Sequence, residues 1–372
     1  MHIPMSSPDI TQTEIEAVNA VLRTPYLSIG PQVKEFEQRI AEYVGVRHAI
    51  AVANGTAGLH LAVIAAGITE GDEVITTPFS FVASANCILY ERATPVFVDI
   101  DPHTLNINPA LIDQAITPRT KAILPVHAFG QPADMDPILD IAKRHQLYVL
   151  EDACEAIGAE YKGRKAGVLG DVGVFAFYPN KQMTTGEGGI IVTDDDEWDA
   201  LFRSLRNQGR DIFDAWLNHS RLGYNYRLDE LSAALGVAQV ARLEELLQKR
   251  ERVAQMYNER LSDMPGVCVP YLTSTTTRMS WFVYVIRLAG HIDRHQVMAD
   301  LEQQGIPSRP YFSCIHLQSF YQRRNGFKPG DFKVAESVAR TTLALPFYGN
   351  MSEVEVAYVC EGLQSAIERQ LG

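Results

Sequence analysis

The sequence predicts an α/β protein, a mostly parallel sheet of seven strands covered by helices on both faces, followed by a smaller α+β unit. Three observations carry this reading. Short apolar runs alternate with helical stretches from residue 48 to residue 206. The runs are apolar at successive positions, not at every second one, as in strands buried on both faces. From Leu228 to Leu261 the residues are good helix formers with no proline and a single glycine, which reads as one long helix of the kind that joins two domains.

The elements follow in order. Glu14, Ala17, Val18 and Val21 recur at helical spacing before a turn at Thr24-Pro25-Tyr26, and a second helix runs from Gln32 to Tyr43 with Val33, Phe36, Ile40 and Ala41 on one face. Strands are expected at 48–53, 74–76, 95–99, 122–126, 148–152, 172–177 and 189–193. Helices are expected at 57–66, 81–90, 108–116, 135–145 and 197–206. Past the long helix come a strand at 281–288 and helices at 294–304, 335–343 and 353–370. The division falls at residue 245, giving a large unit (1–245) and a C-terminal α+β unit (246–372).

Composition narrows the function. Of 372 residues, 46% are hydrophobic and 21% charged, which excludes disorder, fibrous repeats and disulfide mini-proteins. A net charge of −12 gives no global attraction for nucleic acid or an anionic membrane. No run approaches the ~20 apolar residues of a membrane span, and the start lacks the basic and apolar regions of a secretory signal. Cys87, Cys154, Cys268, Cys314 and Cys360 are scattered and not spaced as metal ligands, so they read as buried free thiols in a reducing cytoplasm.

Ligands of open α/β sheets bind where strands run into helices, and four such loops have unusual content. In Asn54-Gly55-Thr56-Ala57-Gly58 a helix start offers N–H groups and a hydroxyl to a phosphate, although a plain helix cap has the same look. In Glu151-Asp152-Ala153 a carboxylate ends an apolar strand, where it needs a partner: a buried cation, or simply the next loop. Lys181 lies between an apolar strand and the glycine-rich run Thr184-Thr185-Gly186-Glu187-Gly188-Gly189. The other eight lysines sit in polar settings; a lysine in an apolar site can act as nucleophile or base, whereas most loop lysines are merely solvated. Phe79 and Phe81 flank Ser80 just past a strand, as core packing or as a platform for a ring. A phosphate cradle, an acid, an aromatic platform and a loop lysine together suit pyridoxal 5′-phosphate. The lysine bonds its aldehyde, and the acid keeps the ring nitrogen protonated so that the ring can accept electrons.

With these residues in place the sequence resembles the nucleotide-sugar aminotransferases of the DegT/DnrJ group, within the aspartate-aminotransferase (type I) fold. The resemblance spans nearly the whole chain. It rests on Leu27-Ser28-Ile29-Gly30 with Phe36-Glu37, Asn54-Gly55-Thr56-Ala57, Gly71-Asp72-Glu73-Val74-Ile75, Val98-Asp99-Ile100-Asp101, Glu151-Asp152-Ala153, Lys181 with its glycine run, and Gly223-Tyr224-Asn225-Tyr226-Arg227-Leu228. It implies that Gly55, Thr56 and Ala57 hold the cofactor phosphate, that Phe81 stacks on the ring, that Asp152 meets the ring nitrogen and that Lys181 carries the cofactor. Glu155 falls beside the cofactor hydroxyl, as in the perosamine-synthase-like branch. Asn225 matches a residue that reaches the partner subunit's cofactor, implying a homodimer with shared sites. Arg309 and His316 lie in a segment resembling one near the sugar nucleotide. One departure is Ala176, where many relatives carry a phosphate-binding serine.

The implied reaction moves an amino group from L-glutamate to a nucleotide-linked keto sugar, a 4-keto-6-deoxyhexose, in amino-sugar biosynthesis. A 3-keto sugar or keto-inositol is the alternative acceptor. Sugar dehydratases of this family replace the lysine with histidine, so Lys181 speaks against that activity. A non-catalytic regulator on the same fold would be free to lose Asp152 or Lys181, and both are present.

Overall fold

The computed structural model describes residues 3–211 and 218–371. Helices α1 (Gln12–Leu22) and α2 (Pro31–Val44) lead into the first strand. The large sheet comprises β1 (His48–Val52), β2 (Glu73–Thr76), β3 (Thr94–Phe97), β4 (Thr120–Ile123) and β5 (Tyr148–Asp152). After the two short strands β6 (Glu160–Tyr161) and β7 (Arg164–Lys165) it is completed by β8 (Val172–Ala176) and β9 (Gly189–Thr193). Its order is β1-β9-β8-β5-β4-β2-β3, and only β9 runs antiparallel to its neighbours.

The uniform apolarity of these strands has a direct cause. Ile50 and Val52 of β1 pack under α3 (Gly55–Ala65), α4 (Ala83–Tyr90) and α6 (Asp196–Arg206), while Ala49 and Ala51 face α2 and α7 (Glu230–Ala241). Both sides of the pleat are therefore buried. The helix α5 (Met135–His145) covers the far end of the second face through Ile138 and Ile141.

The stretch read as one helix from Leu228 to Leu261 forms two, α7 and α8 (Leu243–Leu261). Arg242 between them leaves the helical region (φ −120°, ψ 19°), and its guanidinium reaches Asp9 at 3.1 Å, Glu14 at 3.2 Å and Glu245 at 2.8 Å. The first turns of α8 (Leu243, Leu246, Leu247) pack on the large sheet. Val253, Ala254, Tyr257 and Leu261 enter the core of the C-terminal unit. That unit holds the antiparallel sheet β10 (Val267–Cys268), β12 (Tyr284–Leu288) and β13 (Thr342–Leu345), with α9 (Arg294–Gln303) and α12 (Glu353–Leu371). One face of β12, with Tyr284, Ile286 and Leu288, is in that core; Val283 and Val285 lie against Phe79, Phe129 and Phe312. Ile3 is also fully buried in the C-terminal core.

Other expectations are corrected. Residues 108–116 form two 3-10 turns, Pro109–Leu111 and Asp113–Ala115, joined at Ile112, in place of one α-helix. The helix expected at 335–343 is α11 (Lys333–Thr341), after which Thr342 begins β13 because β12 supplies a pairing edge. Trp281 and Phe282 precede β12 and lie outside it. The strand β11 (Thr276–Arg278), which pairs with β6, and the helix α10 (Ser319–Asn325) have no periodic signal in the sequence. All five cysteines are free, yet Cys268 is exposed.

Two of the recognised motifs prove structural. Phe36 packs edge-on against Phe177 with centroids 5.4 Å apart. Glu37 accepts from Arg203 at 2.7 Å, from Ala51 N–H at 2.9 Å and from Arg206. Gly30 makes room for Glu230, whose carboxylate accepts from the N–H groups of Gly30 (3.0 Å), Gln32 (2.8 Å) and Val33 (3.0 Å), capping α2 from the distant start of α7. Glu230→Ala is expected to lower stability by about 2–4 kcal/mol, because three partly buried donors lose one buried charged acceptor. Urea unfolding monitored by circular dichroism measures this, and Glu230→Gln should recover part of the loss.

Candidate active site

The site forms where β1, β5 and β8 end. Asn54 caps α3 by accepting from Ala57 N–H at 2.9 Å, which leaves the first-turn N–H groups of Gly55 and Thr56 with no intrahelical acceptor. Gly55 is required sterically. A Cβ there would stand 2.7 Å from Ala176 Cβ and 2.8 Å from Cys154 Sγ. Thr56 and Gly55 line a cavity of about 1130 Å³ together with Phe81, Asp152, Glu155, Ala176 and Lys181.

Asp152 ends β5 and is buried. One of its oxygens accepts from Ser84 Oγ at 2.7 Å, and the other from Cys154 N–H at 3.2 Å. Ser84 Oγ is itself 2.8 Å from Ser80 Oγ, so the first turn of α4 and the loop before it orient the carboxylate through two hydroxyls. Lys181 follows β8 on a turn closed by its N–H to Tyr178 O at 2.9 Å. Its side chain is 13% exposed, with Nζ 3.7 Å from Glu155 Oε1 and 3.8 Å from the centroid of the Phe282 ring. Glu155 is buried at the cavity wall, and burial pushes its carboxyl above the usual carboxylate range. Lys181 and the Phe129 N–H, at 2.9 Å, work against that rise. Burial likewise raises the Cys154 thiol, which stays protonated beside Asp152.

Several expected residues fall elsewhere. Ala57 gives its N–H to Asn54 and does not face the cavity as a free donor. His316 is fully buried outside the cavity, with Nε2 3.1 Å from Glu336 Oε1 and its ring against Phe332 at 4.7 Å; burial lowers its imidazole. Arg309 is exposed; its guanidinium donates to its neighbour Ser308 O at 2.8 Å and its backbone bridges Ala344, although Pro310, Tyr311 and Phe312 beside it line the cavity. Asn225 is exposed, away from this chain's cavity, and its backbone bridges Asn207. Phe81 stands at the rim, 61% exposed. Sequence reasoning passed over Ser84 and Phe282. Ser84 leaves a trace, a hydroxyl four residues after Ser80 in an apolar helix; Phe282 leaves none.

The sequence matches the DegT/DnrJ/EryC1/StrS aminotransferase family over residues 8–364. The chain belongs to this family. It is 42% identical over 369 residues to the GDP-perosamine synthase of Caulobacter vibrioides, covering 98% of each chain. It is 39% identical over 380 residues to the spore coat polysaccharide biosynthesis protein SpsC of Bacillus subtilis, covering 98% of this chain and 97% of the relative. Its fold superimposes on Helicobacter pylori PseC, an aminotransferase involved in the biosynthesis of pseudaminic acid, with a TM-score of 0.94 at 29% identity, over 99% of this chain and 100% of that one. It is thus a sugar aminotransferase dependent on pyridoxal phosphate, with the mostly parallel α/β sheet of that class. Among the described residues no helix is long and apolar enough to cross a membrane, and no cluster of three or more His, Cys, Asp or Glu could hold a metal.

The residues present fit the cofactor. The cavity offers free helix N–H groups for a phosphate, an oriented buried carboxylate, and an amine whose only ionic neighbour among the described residues stands at 3.7 Å. Borohydride treatment of the yellow holoenzyme is expected to fix the cofactor on the peptide containing Lys181. Peptide mapping checks this, and label on any other lysine refutes it.

Proposed function

We propose that the protein is a homodimeric cytoplasmic enzyme that transfers the amino group of L-glutamate to a nucleotide-linked 4-keto-6-deoxy sugar. The observation that carries this reading is the convergence of Lys181 Nζ, the Asp152 carboxylate and the start of α3 on one cavity. Its volume exceeds that of most small-ligand sites and leaves room for a sugar nucleotide beside the cofactor. The similarity to GDP-perosamine synthase supports a nucleotide-linked acceptor.

Bound pyridoxal phosphate supplies an aldehyde that takes up an amino group and a ring that accepts an electron pair. In this reading Lys181 carries the cofactor in the resting enzyme. Released when the donor arrives, its amine moves the proton at the donor carbon, and it repeats this for the acceptor. Asp152, held by Ser84, faces the ring nitrogen and keeps its proton in place. Thr56, with the N–H groups of Gly55 and Thr56, holds the phosphate. Ala176 contributes no hydroxyl there. Phe81 would cover the ring, Glu155 would lie beside the ring hydroxyl, and Asn225 would serve the cofactor of the partner subunit. Arg309 would have to turn from Ser308 O past the cavity-lining Pro310 to meet the acceptor; His316 has no part.

A panel of nucleotide-linked 4-keto-6-deoxy sugars, 3-keto sugars and a keto-inositol, each with glutamate, tests the acceptor by mass spectrometry. The 4-keto sugars are expected to be aminated about tenfold faster than the others or more. Amination of only a 3-keto sugar or the inositol refutes the assignment.

The shared site has its own test. Lys181→Ala and Asn225→Ala are each expected to be inactive at limiting cofactor. A tagged mixed dimer then contains one site with both defects and one intact site, so co-expression should restore activity up to one site per dimer. If Asn225 served its own chain, every site would carry a defect and no activity would return.

A further inference from the structure

Arg250 is a charged side chain in the protein interior. It lies on α8 and is 4% exposed. Among the described residues no carboxylate pairs with it; burial pulls its guanidinium down to about 10. Four carbonyl oxygens take its protons instead. Nη2 donates to Lys181 O at 2.7 Å and Asn180 O at 3.3 Å, and Nη1 to Phe282 O at 3.1 Å and Trp281 O at 3.3 Å. A buried charge without an ionic partner is a poor way to gain stability, and an apolar side chain of the same volume commonly does as well or better. Its geometry is specific, however. The planar fork spans two chain segments that no strand pairing joins, the lysine turn and the approach to β12.

Those two segments frame the amine. Lys181 extends from one, and Phe282, whose ring lies 3.8 Å from Nζ, belongs to the other. Gln182 reinforces the same junction by donating to Glu155 O at 2.6 Å and Ser280 O at 3.0 Å. We propose that Arg250 is a positioning residue for the cofactor lysine, locking the backbone of Lys181 to that of Phe282 so that Nζ stays between the aromatic ring and Glu155. The inference rests on Lys181 being the cofactor lysine, which the borohydride map tests separately.

The test compares Arg250→Met and Arg250→Lys holoenzymes with Tyr257→Phe. The last removes a buried bond to Pro346 O, 2.7 Å long, on the same helix but remote from the lysine turn. Five readouts are taken: thermal midpoint, cofactor affinity of the apoprotein, visible ellipticity of the bound cofactor, the single-turnover rate with glutamate, and KM for glutamate. Arg250→Met is expected to lose most of the ellipticity and about tenfold or more of the single-turnover rate. Its KM for glutamate should stay within about twofold. Arg250→Lys, which keeps the charge but cannot span all four carbonyls, should fall between it and the wild type. Tyr257→Phe should lower the midpoint and leave ellipticity and rate intact. The proposal is overturned if Arg250→Met shifts only the midpoint. Should Arg250→Met fail to fold, Arg250→Lys decides, since wild-type ellipticity and rate in that variant also overturn it. A borohydride label away from Lys181 would instead remove the underlying reading.

Discussion

Beyond the ends of the inner strands of the large sheet, the start of α3 is pressed so close to its neighbours that Gly55 has no space for a side chain. Gly55 at the start of α3 lies against Ala176 at the end of β8 and Cys154 just past β5, and a Cβ on Gly189 would stand 2.6 Å from the Asn54 carbonyl carbon. This crowding brings a helix end, a carboxylate and a lysine turn to a single cavity. It also gives a steric context to Ala176: the methyl group there already sits against Gly55, and a larger side chain would have to turn toward the cavity.

Asp152 and its neighbour Glu151 show how one strand serves two ends. The alternation of β5 sends Glu151 to the opposite face, where it accepts from His127 Nε2 at 2.8 Å and from the N–H groups of Gly167, Leu169 and Gly170. The imidazole takes the Ala133 N–H on Nδ1 at 3.0 Å, which fixes the proton on Nε2. Glu151 is thus spent entirely on holding loops, while Asp152, which meets Ser84 and Cys154 and lines the cavity, keeps capacity for a ligand. Two adjacent acids with similar burial have different uses because one is saturated with donors.

The sheet was legible in the sequence because strands buried on both faces leave unbroken apolar runs, and the lysine turn and Asp152 stood out as polar groups ending such runs. The break at Arg242 was not legible, since its cause is a set of acids on α1 and the segment before it, over 200 residues away in the chain. β13 and β11 exist only because a partner edge is present. His316 looked available because its chemistry is visible in sequence whereas Glu336, which occupies it, is twenty residues on. Phe282 and Arg250 carry no motif; their relation to Lys181 arises only when α8 and the approach to β12 close over the turn.

The buried position of Ile3 has a mechanical meaning. Met5 O accepts from Phe347 N–H at 3.0 Å, and Asp9 meets Lys249 at 2.7 Å. The C-terminal sheet is therefore held not only along α8 but also by the strap of residues 3–9, by the pairing of β11 with β6, and by the apolar layer of Phe79, Phe129, Val283 and Phe312. Moorings spread over several separate lines leave it no free axis of rotation, so the approach to β12 keeps its place over the lysine turn.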